Sequence, residues 1–256
     1  MKTIAISGKG GTGKTTLSAL IIRWLKDQEM GPILAVDADP NVNLNDLLGV
    51  RIEETVGTIR EELKRSAHKL PGGMTKQEFL QYKIHASVKE TRDFDLIAMG
   101  RPEGPGCYCY ANNLLRDILK TLSNNYKVVV IDNEAGMEHL SRRTTQKIDF
   151  LLIVSDLSVR SVRAAGKISK LLFELDTRVS KKLLVLNRVK NTIPDIVANI
   201  IQEERLEHFS SIPEDDTLLQ MDQSGKPIWK IADESPAYQA IHQMMSELMK
   251  GNNNGV

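Results

Sequence analysis

Gly8-Lys9-Gly10-Gly11-Thr12-Gly13-Lys14-Thr15-Thr16 is the stretch on which the reading of this chain turns. It fits the phosphate-loop pattern Gly-x-x-x-x-Gly-Lys-Thr. An apolar run, Lys2 to Ser7, precedes it, and an amphipathic segment, Thr16 to Lys26, follows with Leu17, Leu20, Ile21, Trp24 and Leu25 on one side. Strand, loop, helix is the context the pattern requires. Glycines let successive backbone N–H groups curl around phosphate oxygens, and the helix that follows adds its partial positive charge. Gly8, Gly10, Gly11, Thr12, Gly13, Lys14, Thr15 and Thr16 are therefore the expected nucleotide cradle. Lys14 is expected to bridge the β- and γ-phosphates and Thr15 to hold Mg²⁺. The ligands this implies are ATP or ADP with Mg²⁺.

Outward from the loop, strand and helix patterns alternate. Ile33 to Val36 reads as a second strand, broken by Asp37-Ala38-Asp39-Pro40, and Asn41 to Leu48 as a short helix. Val56 to Val88 reads as helical pieces lying outside the sheet, with a loop at Pro71-Gly72-Gly73. Asp95 to Met99 is a brief strand, and Asn112 to Leu122 a helix with Leu114, Leu115, Ile118 and Leu119 at helical spacing. Lys127 to Ile131, Phe150 to Val154 and Leu183 to Leu186 are uninterrupted apolar tracts, which a parallel sheet covered on both faces needs. The predicted fold is α/β: a doubly wound, mostly parallel sheet flanked by helices. It forms one domain over 1–250, with a disordered tail at 251–256. The final helix, Pro236 to Lys250, carries Tyr238, Ile241, Met244, Met245, Leu248 and Met249 on one side. It lacks the flanking basic residues of a membrane-surface helix, so packing against the sheet is expected.

Two acidic positions complete the expected reaction. Asp132 ends an apolar strand and is followed by Gly136, which suits a carboxylate tied to Mg²⁺ through water and a glycine near the γ-phosphate. Asp39 is the candidate for positioning and polarising the attacking water. Asp37, nearer its strand, reads as structural or as part of the Mg²⁺ shell. Lys9 is not needed by the minimal cradle. The reading given to it is a charge delivered to the nucleotide of a facing subunit, acting only on pairing. Base recognition is assigned to Asn187, after the tract Leu183 to Leu186, and to the rigid turn at Pro213.

Composition narrows the partners. Lysine and arginine total 34 against 33 acidic residues, a formal net charge of +1. That balance argues against a protein that coats nucleic acid. The first residues run into the glycine loop after too few apolar residues for a secretory signal, and nothing approaches the length of a membrane span. A cytoplasmic protein without stable membrane association is expected.

Cys107-Tyr108-Cys109 holds both cysteines of the sequence. One-residue spacing closes almost no loop and suits a disulfide badly, which leaves two thiols free to bind an ion. Two sulfurs are half of a thiolate zinc set. A symmetric homodimer whose axis passes the pair would supply four. Four thiolates suit Ni²⁺ or Zn²⁺, square-planar for one and tetrahedral for the other. Two buried, inert cysteines before a helix are the alternative.

These motifs resemble the MinD/ParA/nitrogenase-iron-protein class, the deviant Walker A P-loop ATPases of SIMIBI/MinD type. Within it they are similar to the nickel-insertion ATPases of carbon monoxide dehydrogenase maturation and their acetyl-CoA synthase accessory siblings. The likeness rests on the signature Lys9 of the deviant loop, on Asp37-Ala38-Asp39-Pro40-Asn41 as first switch, on Asp132 to Gly136 as second switch, on Asn187 and Pro213, and on Cys107-Tyr108-Cys109. It implies ATP hydrolysis by a homodimer that forms on binding ATP or metal. It further implies nickel held at the shared cysteines and delivered to apo carbon monoxide dehydrogenase or acetyl-CoA synthase. A MinD/ParA-like positioning ATPase on membrane or DNA, or an iron–sulfur scaffold ATPase, are the alternatives. Glu134 in the second switch is a departure from many relatives.

Overall fold

The apolar tracts become the centre of an eight-stranded sheet. In the computed structural model, which describes residues 1–65, 73–101, 122, 125–135, 147–174 and 178–250, the strands are β1 (Lys2–Gly8), β2 (Ile33–Asp37), β3 (Lys89–Glu90), β4 (Asp95–Ala98), β5 (Val128–Asp132), β6 (Ile148–Ser155), β7 (Val179–Val189) and β8 (His208–Pro213). Their order across the sheet is β3-β4-β2-β5-β1-β6-β7-β8. All neighbours pair in parallel except β3 with β4. The doubly wound, mostly parallel sheet is thus present. The short exposed strand β3 and the half-exposed edge strand β8 carry no apolar tract, and the sequence pattern had not marked them.

The described helices are α1 (Lys14–Asp27), α2 (Leu44–Leu48), α3 (Val56–Arg65), α4 (Lys76–Ser87), α5 (Val159–Glu174), α6 (Asp195–Glu203), α7 (Asp216–Gln223) and α8 (Pro236–Lys250). Two hydrophobic cores lie on opposite sides of the sheet because side chains alternate along each strand. Ile4, Ile6, Val128 and Val130 face α1 and α8, where Leu20, Trp24, Tyr238, Ile241 and Met245 are buried. Ala5, Val129 and Ile131 face the other way, against Val162 and Ala165 of α5, Val197 and Ile200 of α6, and Val56 and Ile59 of α3. The apolar stripe of α8 is therefore covered by the sheet, as its residues suggested. The segment Val56 to Val88 forms helices outside the sheet, as expected, and α3 packs Val56 and Ile59 against the sheet in that second core.

β1 is flanked by β5 on one side and β6 on the other, so the strand order reverses around it. In an open α/β sheet, the crevice at such a reversal is where ligands bind, beyond the carboxyl ends of the strands. The phosphate-loop motif leaves β1 at that crevice. On the far side of the cleft, Asp215 caps two helices at once. Its Oδ1 accepts from the N–H groups of Thr217 and Leu218 at the start of α7. Its Oδ2 accepts from Ser235 Oγ at 2.5 Å and from Ala237 N–H at 3.2 Å at the start of α8. The hydroxyl of Tyr238, in the first turn of α8, donates to Asp27 Oδ2 at 2.6 Å, at the end of α1. Cys107, Cys109, Gly136, most of the expected helix Asn112 to Leu122, and the tail 251–256 lie outside the described residues.

Candidate active site

The loop is tight because two of its glycines, Gly8 and Gly13, sit where side chains cannot. A Cβ on Gly8 would lie 2.2 Å from the carbonyl oxygen of Val154 in β6. Gly13 has φ of +91°, and a Cβ there would lie 2.3 Å from Asn187 Nδ2. Between them the chain closes on the main-chain oxygen of Lys9. That oxygen accepts from Thr12 Oγ1 at 2.8 Å and from Lys14 Nζ at 3.3 Å. The Lys9 side chain itself is exposed. Helix α1 begins at Lys14, so its unpaired N–H groups and the positive end of its dipole open into the cradle.

Strand ends bring the acidic groups to the same place. Asp132, last residue of β5, is buried, and Oδ1 accepts from Ser18 Oγ at 3.1 Å. The Thr15 hydroxyl also donates to this carboxylate. Burial, aided by the nearby Asp37 charge, pushes Asp132 up to about 7 against these hydrogen bonds. Thr15 and Asp132 form a hard-oxygen donor set of the kind Mg²⁺ takes, and a cation beside them would favour the ionised carboxylate. When bound, Mg²⁺ supplies charge to the phosphate oxygens. Lys14 is pushed below its ordinary value by burial, while Asp132, Asp39 and Glu134 act in the opposite direction.

Asp37 holds the first switch together. One carboxylate oxygen accepts from the Asp39 N–H at 3.0 Å, and the other from the N–H groups of Asn43 and Leu44, each at 2.9 Å. Burial nevertheless raises its pKa to about 6. Within this clamp Val42 is held at φ +50°, a left-handed conformation that a β-branched residue adopts only under constraint. Asp39 is half-buried, accepts from the Asn41 N–H at 2.8 Å and lines the cleft.

The cleft encloses about 630 Å³. It is lined by the loop glycines, Lys14 and Thr15, by Asp39 and Glu134, and by Arg188, Asp222 and Lys226. Asn187 and Pro213, assigned to the base, are not part of its lining. The buried Asn187 donates from Nδ2 to the Thr12 carbonyl at 2.8 Å, and Pro213 ends β8. Asn187 lies within β7, which extends past the predicted tract Leu183 to Leu186 as far as Val189.

Several site residues had escaped the sequence reading. Ser18 could have been found as a polar residue on the apolar face of α1, four positions after Lys14. Asn133 is buried and donates from Nδ2 to the Ile6 carbonyl at 2.7 Å, fastening the start of the second switch to β1. Arg188, Asp222 and Lys226 gave no signal, since solvent-facing charges look alike in a sequence.

A glycine cradle on a strand-to-helix turn, a lysine inside it and a threonine–aspartate pair beside it define a P-loop nucleoside triphosphatase. The chain belongs to the CobQ/CobB/MinD/ParA nucleotide binding domain family, which matches residues 3–228. Its fold is that of the MinD/ParA-type P-loop nucleoside triphosphatases, consistent with ATP- and Mg²⁺-dependent hydrolysis. An uncharacterized ATP-binding protein of Methanocaldococcus jannaschii is 42% identical, over 96% of this chain and 98% of its own length. The carbon monoxide dehydrogenase accessory protein CooC of Rhodospirillum rubrum is 30% identical, over 96% of each chain. The structure of the MinD cell division protein of Aquifex aeolicus is similar in fold, with a TM-score of 0.69 at 24% identity, covering 98% of this chain and 97% of that one. Among the described residues, no group of three or more His, Cys, Asp or Glu side chains is arranged to hold a metal ion, and no helix is long and apolar enough to cross a membrane.

Proposed function

We propose that this ATPase is an ATP-driven pairing switch of the positioning or chaperone kind, in which two chains close over bound nucleotide and so change their hold on a partner. The observation that carries this reading is the division of labour within Lys9. Its main-chain oxygen organises the loop through Thr12 and Lys14, while its side chain is exposed. Lys14 already supplies the loop with its own cation. A second ammonium at the rim is of most use to phosphates outside its own chain, where it would offset charge developing in phosphoryl transfer only in the closed pair. Asp39 then positions the attacking water, and Asp37 keeps Asp39 in place.

Of the finer readings, a positioning ATPase is supported by membership of a family whose description includes MinD and ParA. The surface it would travel on is anionic, a lipid bilayer or DNA. The apolar stripe of α8 is taken up by the sheet, so lipid would be met by another part of the chain. Metal delivery is the second reading. It is favoured by Cys107-Tyr108-Cys109 and by the CooC relative, and would place nickel or zinc between the paired chains for transfer to apo carbon monoxide dehydrogenase or acetyl-CoA synthase.

One experiment separates them. The protein and a Cys107→Ser/Cys109→Ser variant are loaded anaerobically with Ni²⁺ or Zn²⁺, and metal per chain is measured with and without ATP. In parallel, ATP-dependent co-sedimentation with anionic vesicles and with DNA is recorded. The positioning reading expects cosedimentation that is indifferent to the cysteines. Metal delivery expects one ion per two chains, lost in the variant and altered by ATP. If the protein stays monomeric with a non-hydrolysable ATP analogue, the pairing switch itself is wrong.

A further inference from the structure

In the division of tasks around the phosphate loop, Glu134 is left over. Asp132 pairs with Thr15 where Mg²⁺ is taken, Asp37 clamps the first switch, and Asp39 faces the cleft as the water-positioning group. Glu134 is nevertheless held in place from both sides. The residue before it, Asn133, is buried and fastened to β1 twice: its main-chain N–H and its Nδ2 both donate to the Ile6 carbonyl, at 3.1 and 2.7 Å. The residue after it, Ala135, lies beside the loop, its Cβ 3.6 Å from where a Gly10 Cβ would stand. Between these two anchors the half-buried Glu134 lines the cleft together with Lys14 and Asp39.

Its charge falls where the field is already negative. The ammonium of Lys14 feels three carboxylates, those of Asp132, Asp39 and Glu134. The Lys9 side chain is exposed and does not line the cleft. Lys14 is the group that bridges β- and γ-phosphates in such loops, so the terminal phosphate of ATP enters within reach of the same carboxylates. A diphosphate ends one phosphate short of that position and meets less of the repulsion. Mg²⁺ beside Asp132 would offset the charge on the phosphate and carboxylate oxygens alike. Glu134 adds repulsion without contributing to the Thr15 and Asp132 donor set.

We infer that Glu134 is a charge filter on the terminal phosphate: its carboxylate opposes a triphosphate that arrives without Mg²⁺, which makes loading of ATP conditional on the cation and leaves ADP little affected. The residue thus sets which form of the nucleotide the cleft accepts. The inference rests on the nucleotide site alone, and neither pairing nor metal delivery enters it.

The test measures ATP and ADP affinity by calorimetry, in EDTA and with saturating Mg²⁺. The native chain is compared with Glu134→Gln, Glu134→Ala and Glu134→Asp. In EDTA both neutral variants are expected to bind ATP about tenfold tighter than the native chain, and ADP no more than about twofold tighter. With Mg²⁺ the gain for ATP should shrink to about threefold or less. Raising the ionic strength should also narrow it, because the charge of a half-buried group is screened. Glu134→Asp keeps the charge and should stay near native. Equal gains for ATP and ADP, or no gain, would overturn the assignment. So would a loss of ATP affinity in EDTA, which would make Glu134 a contact that helps to hold nucleotide. An aspartate variant that behaves like the glutamine one, or two neutral variants that disagree, would trace the effect to shape and not to charge, and would overturn it as well.

Discussion

Asp37 and Asp132 are register partners at the ends of adjacent strands, β2 and β5, and both carboxyl groups are buried. Each holds its proton more tightly in the folded chain than its ordinary value of 3.8 allows, at about 6 for Asp37 and about 7 for Asp132. Between about pH 4 and 7 the folded state thus binds more protons than the unfolded state, so stability falls as the pH rises through that window. The nucleotide-free chain is expected to melt at a lower temperature at pH 7.5 than at pH 5, and saturating Mg²⁺ with nucleotide should narrow the difference. Asp132→Asn should raise stability at pH 7.5 by about 2 kcal/mol and flatten the profile, while losing Mg²⁺-dependent turnover. Thermal melts across pH check this, and a native profile that rises toward pH 7.5 would contradict it.

Asp37 accepts hydrogen bonds from three main-chain N–H groups of the first switch. Asp37→Ala leaves those donors without an acceptor and releases the constraint on Val42. The expected loss of stability is about 2 kcal/mol, because the relief of a buried charge offsets part of the lost bonding. Turnover should drop roughly tenfold or more even though Asp39 is untouched, since a misplaced water-positioning group is costly. Denaturant midpoints and steady-state hydrolysis measure the two effects; an Asp37→Ala enzyme of native activity would rule out the clamp.

Gly13 and Asn187 are coupled by space. Gly13→Ala is expected to destabilise by about 3 kcal/mol, through its positive φ and the close approach to Asn187 Nδ2. Asn187→Ala opens that space but also strips the Thr12 carbonyl of its donor. The double variant should therefore be less destabilised than the two single changes added together, without reaching native stability. Strict additivity would show that the clash is not felt.

For Lys9→Gln the loop contacts are main-chain and survive. Nucleotide affinity of the monomer should stay within about twofold, a change of a few tenths of a kcal/mol. Pairing with ATP and most hydrolysis should be lost. Sedimentation and phosphate release measure these, and unimpaired turnover would remove the trans-acting role from Lys9.

The central strands and the cradle were legible because their physics is local. An apolar tract such as Val128 to Ile131 admits few readings, and a glycine run before Lys14 admits fewer. β8 was missed because an edge strand such as His208–Pro213 does not need apolar residues on both faces. Arg188 was invisible for a different reason: it reaches the Gly11 carbonyl where the pairing of β7 with β8 shifts register, and no residue within β7 announces that shift. Asp37 read as structural or metal-shell, and its three backbone partners could be counted only once the switch was folded. Cys107, Cys109 and Gly136 lie outside the described residues.

The carboxylate of Asp215 has a consequence for how motion travels. By gripping the first turns of α7 and α8 together, it ties a wall of the cleft to the last helix. Tyr238 links that last helix to Asp27, at the tail of the helix whose head cradles phosphate. A displacement of α7 on nucleotide binding would therefore pull on α8 and, through Tyr238 and Asp27, on α1, within the one core that also holds Leu44 and Leu48 of the first-switch helix.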